Sequence, residues 1–466
     1  MTKHARWKRR RHGRVWWQVA LSFAMYVCIS LPAQAANYTS CFNWRILTTD
    51  SNVPIASGPN TGMVEDYYVN PCNVAPNGCV VTARGVRFKV SKGTWSRTID
   101  TSPAGCGSWA HADTSGFTIT VYGYAQHSPL DNFVRIHDDP NDFSAYPGAT
   151  YSILLANVSP TASGTDVYTV GGADSKWTAM AAASFTLYRV DAGLEKKEFH
   201  LGIDETQCGG ASAHYGSSNS AITSGRHFLR VGNNAVGGCP SPAPQSRQKF
   251  VVAHEMGHAI LALHYGDQPG AVNGGEPAVS VSNNTGPNAC TPTTSYDHGT
   301  KEFNSLAFRE GFAHFVAARA WNDPSATGAF RWEAAFAANL PSNSGPVTID
   351  LELWGPSTEG NGNNATGGRL KNFCCVGACA ASWAGAANNE DWLRFLWDWH
   401  TATNYCVLPP SMLGAMEVYS RTRLNGGLAN ANYYEKAEDA MEFVYGVGDC
   451  ARSAWYDLAN SNGVAN

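Results

Sequence analysis

The chain has 466 residues, 44% of them hydrophobic and only 15% charged, proportions that suit packed cores and exclude a disordered or fibrous protein. Its formal charge of -4 hides a split: the first 35 residues carry seven basic side chains and no acid, which leaves the remainder at -11. A body that acidic, with no basic run after Arg14, argues against nucleic acid as a partner.

Taken in chain order, the basic stretch Lys3 to Arg14 is followed by an apolar run from Val15 to Leu31 and then Pro32-Ala33-Gln34-Ala35. Those are the three parts of a secretory signal, so residues 1–35 are expected to be removed and the mature protein exported. No later segment is long and apolar enough to span a bilayer. Cys28 would leave with the signal, and the twelve cysteines that remain are an even number in an oxidising compartment, so disulfides are expected. Pairs near in sequence are Cys72 with Cys79, Cys208 with Cys239, and Cys406 with Cys450.

From Tyr38 to about Ser159 period-two runs such as Val86-Arg87-Phe88-Lys89-Val90 and Phe117-Thr118-Ile119-Thr120-Val121-Tyr122 alternate with Gly, Pro, Asn and Ser clusters. That pattern predicts an antiparallel, sandwich-like β domain over 36–165. The acidic loop Asp138-Asp139-Pro140-Asn141-Asp142 lacks calcium-loop spacing and reads as a solvated turn. A Ser/Thr/Gly-rich stretch from Pro160 to Gly172 reads as a linker. Beyond it the spacing predicts a buried helix over Trp177 to Tyr188, strands over Glu198 to Ile203 and His227 to Val231, and a helix from near Ser246 to Tyr265. Further helices are expected over Lys301 to Trp321 and Asp391 to Thr401. The fold class is α+β, with residues 166–466 forming a second domain that becomes mostly helical towards its end.

The helix beginning near Ser246 contains Val252-Ala253-His254-Glu255-Met256-Gly257-His258-Ala259-Ile260. At 3.6 residues per turn His254 and His258 project from one face, so both rings can reach one Zn2+ at about 2.0–2.1 Å. Glu255 is one position round, aimed at a bound water rather than at the ion. This is the His-Glu-x-x-His arrangement in which the glutamate serves as general base.

Two residues compete as third ligand. Glu310 lies in Phe308-Arg309-Glu310-Gly311-Phe312-Ala313-His314-Phe315, 52 positions beyond His258. His264 stands six positions after His258, where metzincins place their third histidine. Metzincins break the helix between the two with a glycine, and here that position is Leu261, a strong helix former. Six helical residues turn a side chain by about 240° net, which points His264 away from the metal and favours Glu310.

With these motifs the chain resembles the gluzincin branch of the zincin metallopeptidases, the branch that contains thermolysin. Glu310-Gly311-Phe312-Ala313 also resembles the third-ligand motif of gluzincin aminopeptidases. The resemblance implies a zincin-like catalytic domain within 166–466, with His254, His258 and Glu310 as zinc ligands and Glu255 as general base. It covers about residues 175–321 as an architecture. Two departures stand out: the motifs are much further apart than in thermolysin, and the position four after the glutamate, often acidic in that branch, is His314. A neutral His314 can accept a hydrogen bond from His254 but brings no negative charge.

The expected activity is hydrolysis of peptide bonds in a peptide or protein substrate. Tyr265, Tyr296, His298 and His400 are candidates for the side chain that steadies the tetrahedral oxyanion. The rival expectation is an exported binding or adhesin-like protein with a structural or decayed zinc site, to which the 15 tryptophans lend weak support as sugar-stacking platforms.

Overall fold

The computed structural model describes residues 35–46, 79–127, 132–139, 150–171, 174–190, 198–204, 226–232, 249–264, 282–283, 300–321, 331–333, 348–350, 386–387, 389–402, 406–407, 410–424, 433–446, 448–461 and 464. The expected export segment, the Cys72–Cys79 and Cys208–Cys239 pairings, and Tyr265, Tyr296 and His298 lie wholly or partly outside them.

Alternation builds the first half. In β1 (Ala36–Ile46), β3 (Val86–Lys92) and β6 (Phe117–His127) burial runs largely along alternate residues, as with Val86, Phe88 and Val90 or Phe117, Ile119 and Val121. β1 pairs antiparallel with β2 (Cys79–Thr82) and β5 (Cys106–His111), β5 lying after β4 (Trp95–Asp100) in the chain. Cys41 and Cys106 face each other in that register and form a disulfide across 65 residues of sequence. A second sheet carries β4, β3, β6 and β7 (Asn132–Ile136) in that order, with β8 (Ser152–Val158) also on β6. Phe42 of the first sheet meets Phe88 of the second at 4.7 Å between ring centroids, so the two sheets share a sandwich core.

Two features depart from the sequence expectations. The stretch read as a linker contains β9 (Thr165–Gly171), which pairs in parallel with β1. Its threonines and glycines masked a half-exposed edge strand. The second sheet, moreover, continues past the expected boundary at residue 165. β7 pairs in parallel with β10 (Glu198–Asp204), and β10 with β11 (Arg226–Gly232), giving a seven-stranded mixed sheet among the described residues. Period-two alternation is the same for parallel and antiparallel neighbours, so the sequence pattern could not show this.

Between β9 and β10 runs helix α1 (Ser175–Val190). Asp174 caps it: its Oδ1 accepts the Lys176 amide at 2.7 Å. Trp177 stacks on Trp44 at 4.8 Å and Phe185 packs on Trp321 at 4.4 Å, so α1 ties the sheets to the helices that follow. Helix α2 (Lys249–His264) is apolar on nearly all sides, as a helix wrapped by other elements must be. β12 (Ser282–Asn283) and β13 (Thr300–Phe303) precede α3 (Asn304–Trp321), so the first residues of the expected Lys301–Trp321 helix are strand. Helices α4 (Asn389–Thr401), α5 (Met412–Leu424), α6 (Tyr433–Tyr445) and α7 (Asp449–Ser461) close the fold, and Cys406–Cys450 is a disulfide as the spacing predicts. The protein is α+β.

Candidate metal centre

Helices α2 and α3 pack directly against each other, and helical arithmetic selects the faces that meet. On α2, His254, Gly257 and His258 lie within one turn on one side. On α3, Glu310 and His314 are four apart, about 40° round the axis from each other. Gly257 makes the close approach possible: a Cβ placed there would stand 2.7 Å from the Ala313 Cα and 3.0 Å from its carbonyl oxygen. Both are backbone atoms that cannot swing aside.

The outcome is a triangle of ligand atoms. His258 Nε2 lies 3.1 Å from His254 Nε2 and 3.1 Å from Glu310 Oε2, and His254 Nε2 lies 3.5 Å from the same oxygen. His254 and Glu310 are buried, at 6% and 3% exposed, as are neighbouring Glu255 and His314 at 6% and 2%, while His258 is partly buried. The other carboxylate oxygen, Oε1, meets Arg309 Nη2 at 3.4 Å. On the far side of His254, Nδ1 lies 3.0 Å from His314 Nδ1.

Electrostatics follow from that enclosure. Burial works against a charged His258, but the carboxylates of Glu310 and Glu255 outweigh it and hold the imidazole above its ordinary value. Burial likewise pushes Glu310 up, and His258 and His254 overcome it, drawing the carboxyl well below the usual range. A buried carboxylate thus has the partners it needs. Two imidazole nitrogens and one carboxylate oxygen turned towards a common centre form a group that could hold a metal ion.

The structure therefore brings His254, His258 and Glu310 together, with Glu255 beside them on α2. Helix α2 runs unbroken through Leu261 to His264, as the leucine predicts. His400 is elsewhere. Its ring packs on Phe315 at 5.7 Å and on Trp397 at 6.0 Å, and Phe315 lies about 140° round α3 from Glu310. Burial, then Arg319, push the His400 imidazole down to about 4, although the Pro410 backbone pulls the other way. The sequence missed the hold of Arg309 on Glu310 and the Gly257–Ala313 contact, because neither has a recognisable spacing. A scan of protein-family models finds no match to this chain, and a search of curated proteins finds none either.

Proposed function

We propose that the chain is an exported zinc metallopeptidase of the gluzincin kind, with a zincin-like catalytic region built on α2 and α3. The observation that carries this reading is the meeting of His254 Nε2, His258 Nε2 and Glu310 Oε2 at separations of 3.1–3.5 Å, with Glu255 alongside. Two nitrogens and an oxygen suit zinc, and a tetrahedral ion with bonds of about 2.0 Å needs its ligand atoms about 3.3 Å apart. Calcium and magnesium prefer all-oxygen sets, which this is not.

Bound zinc would supply a Lewis acid and bring a water near neutral pKa. The chain's own residues do the rest. His254, His258 and Glu310 would hold the ion, Glu310 being steadied by Arg309. The Glu255 carboxylate takes a proton from the attacking water and returns it to the amide nitrogen that leaves.

The binding-protein alternative draws little from Trp44, Trp109, Trp177, Trp321, Trp392, Trp397, Trp399 and Trp455, which are buried in the core and closed to sugar stacking. Export fits the two disulfides, and no helix among the described residues is long and apolar enough to cross a membrane.

The test is Glu255→Gln in the mature chain, with zinc content and cleavage of a peptide library measured on parent and variant. The expected result is a parent that holds zinc and cleaves peptides until chelated. The variant should keep its zinc and lose cleavage by about 100-fold or more, the scale of a lost general base. A zinc-loaded parent that cleaves nothing, or a variant as active as the parent, would overturn the reading.

A further inference from the structure

Three helices end close together, and each carries a base in its last turn: Arg189 on α1, Arg319 on α3 and His400 on α4. Ring contacts join those ends. Phe185 packs on Trp321 at 4.4 Å between centroids, linking α1 to α3, and Phe315 packs on His400 at 5.7 Å, linking α3 to α4. Phe185 and Phe315 each stand one turn before the arginine of their own helix. Arg189 is therefore on the side of α1 that meets α3, and Arg319 on the side of α3 that meets α4.

A positive charge enclosed in this way needs a negative partner, and Arg319 has none among the described residues. Its Nη1 is buried without a hydrogen bond. Burial, then Arg189, draw its pKa below the ordinary value, and Tyr445 alone works against them. That phenol is uncharged at neutral pH, because burial pushes it up to about 12 against the pull of Ser411 and Arg319. The carbonyls at the three helix ends carry only partial charges, whose effect fades within a turn. Arg189, Arg319 and His400 are each only partly buried, so an ion can enter from solution.

We propose that Arg319, with Arg189 beside it, binds a small tetrahedral oxyanion of the phosphate class where α1, α3 and α4 end. A guanidinium presents paired N–H donors that match such an ion. Two of them arriving from different helices suit acceptors spread on all sides better than a flat carboxylate. The site is separate from the metal centre, since Arg319 stands nine residues beyond Glu310, about 14 Å along α3. Bound there, the anion would tie together the ends of three helices, one of which carries Glu310. The proposal depends neither on the metal nor on peptide cleavage.

The mature chain is compared with Arg319→Met, Arg319→Lys and Glu310→Ala, each shown to be folded by circular dichroism. Inorganic phosphate is the probe. Equilibrium dialysis with labelled phosphate reads affinity and stoichiometry, and thermal unfolding is followed as chloride is exchanged for phosphate at constant ionic strength. The parent should bind about one phosphate per chain and unfold at rising temperature until the site saturates. Arg319→Met should bind at least about tenfold more weakly and show no such rise. Without phosphate it should unfold no earlier than the parent, because the unpaired charge is gone. Arg319→Lys keeps the charge without the fork and should bind several-fold more weakly. A parent that binds no phosphate, or an Arg319→Met variant that binds it as well as the parent, would overturn the proposal. Should Arg319→Met not fold, an Arg319→Lys affinity equal to the parent's would do the same. Glu310→Ala should bind phosphate like the parent; loss of binding there would put the anion on the metal and also overturn the proposal.

Discussion

Replacing Gly257 with alanine isolates what the close crossing of α2 and α3 does for the metal centre. In an ordinary helix interior the change would stabilise the protein by about 1 kcal/mol, because alanine is the better helix former. Here the new Cβ would sit 2.7 Å from the Ala313 Cα and 3.0 Å from the Ala313 carbonyl oxygen. Non-bonded carbons rest at about 3.5 Å or more, so the helices must part by about 0.8 Å. Overpacking of that kind costs about 1–3 kcal/mol, which offsets the propensity gain and leaves a net loss of up to about 2 kcal/mol. The larger effect falls on the ligands. Glu310 is one turn before Ala313 on the same rigid helix and would be carried along. A metal site tolerates only about 0.2 Å of misplacement. Gly257→Ala should therefore unfold at slightly lower temperature than the parent without metal, and bind zinc at least about tenfold more weakly. Thermal unfolding with and without zinc, together with chelator competition, measures both. A variant more stable by about 1 kcal/mol with unchanged zinc affinity would refute the reasoning, since it would mean that the helices are free to separate.

The remaining predictions concern the third ligand and acid stability. Glu310→Ala should lose zinc on dialysis against a mild chelator, while His264→Ala keeps it; the reverse outcome would restore the metzincin-like assignment. Burial pushes His127 down to about 4, with Arg84 adding to it against the pull of the Ser184 backbone, and His400 is also held at about 4. Both folded values lie below the ordinary 6.5 of the unfolded chain, which therefore takes up protons first. The stability that these two histidines contribute should fall as the pH drops from about 6.5 to about 4 and level off below, by up to about 3 kcal/mol for each. His127→Gln should remove close to half of that fall in denaturant titrations at stepped pH, and a slope matching the parent's would show that His127 does not contribute.

Much of this was legible from local rules. Residues Trp177 to Tyr188 fall inside α1, Glu198 to Ile203 inside β10, and His227 to Val231 inside β11. Each is marked by a clear apolar run. The same helical arithmetic that put His254 and His258 on one face of α2 also favoured Glu310 over His264, and Glu310 lies together with the two histidines in the structure. Failures came where tertiary pairing decides. β13 looked like the start of a helix because four residues are too few to show a period and no breaker separates Phe303 from Asn304. Cys41 and Cys106 are far apart in sequence and meet only through the β1–β5 register. The Gly257–Ala313 approach joins two small residues on different helices, which no single-element pattern records.

The pairing of β7 with β10 makes the unit that folds larger than the unit that holds the candidate metal ligands. Residues 133–136 and 198–201 are stitched edge to edge, and α1 packs against both strands. A fragment starting near residue 166 would keep every metal ligand yet leave the β7-facing side of β10 as an uncovered row of amides and carbonyls, prone to sticking to other chains. It would also strip the apolar partners from Trp177 and its neighbours. Residues 79–136 are in this sense a wall of the body that holds the candidate metal centre, and removing them would cost solubility.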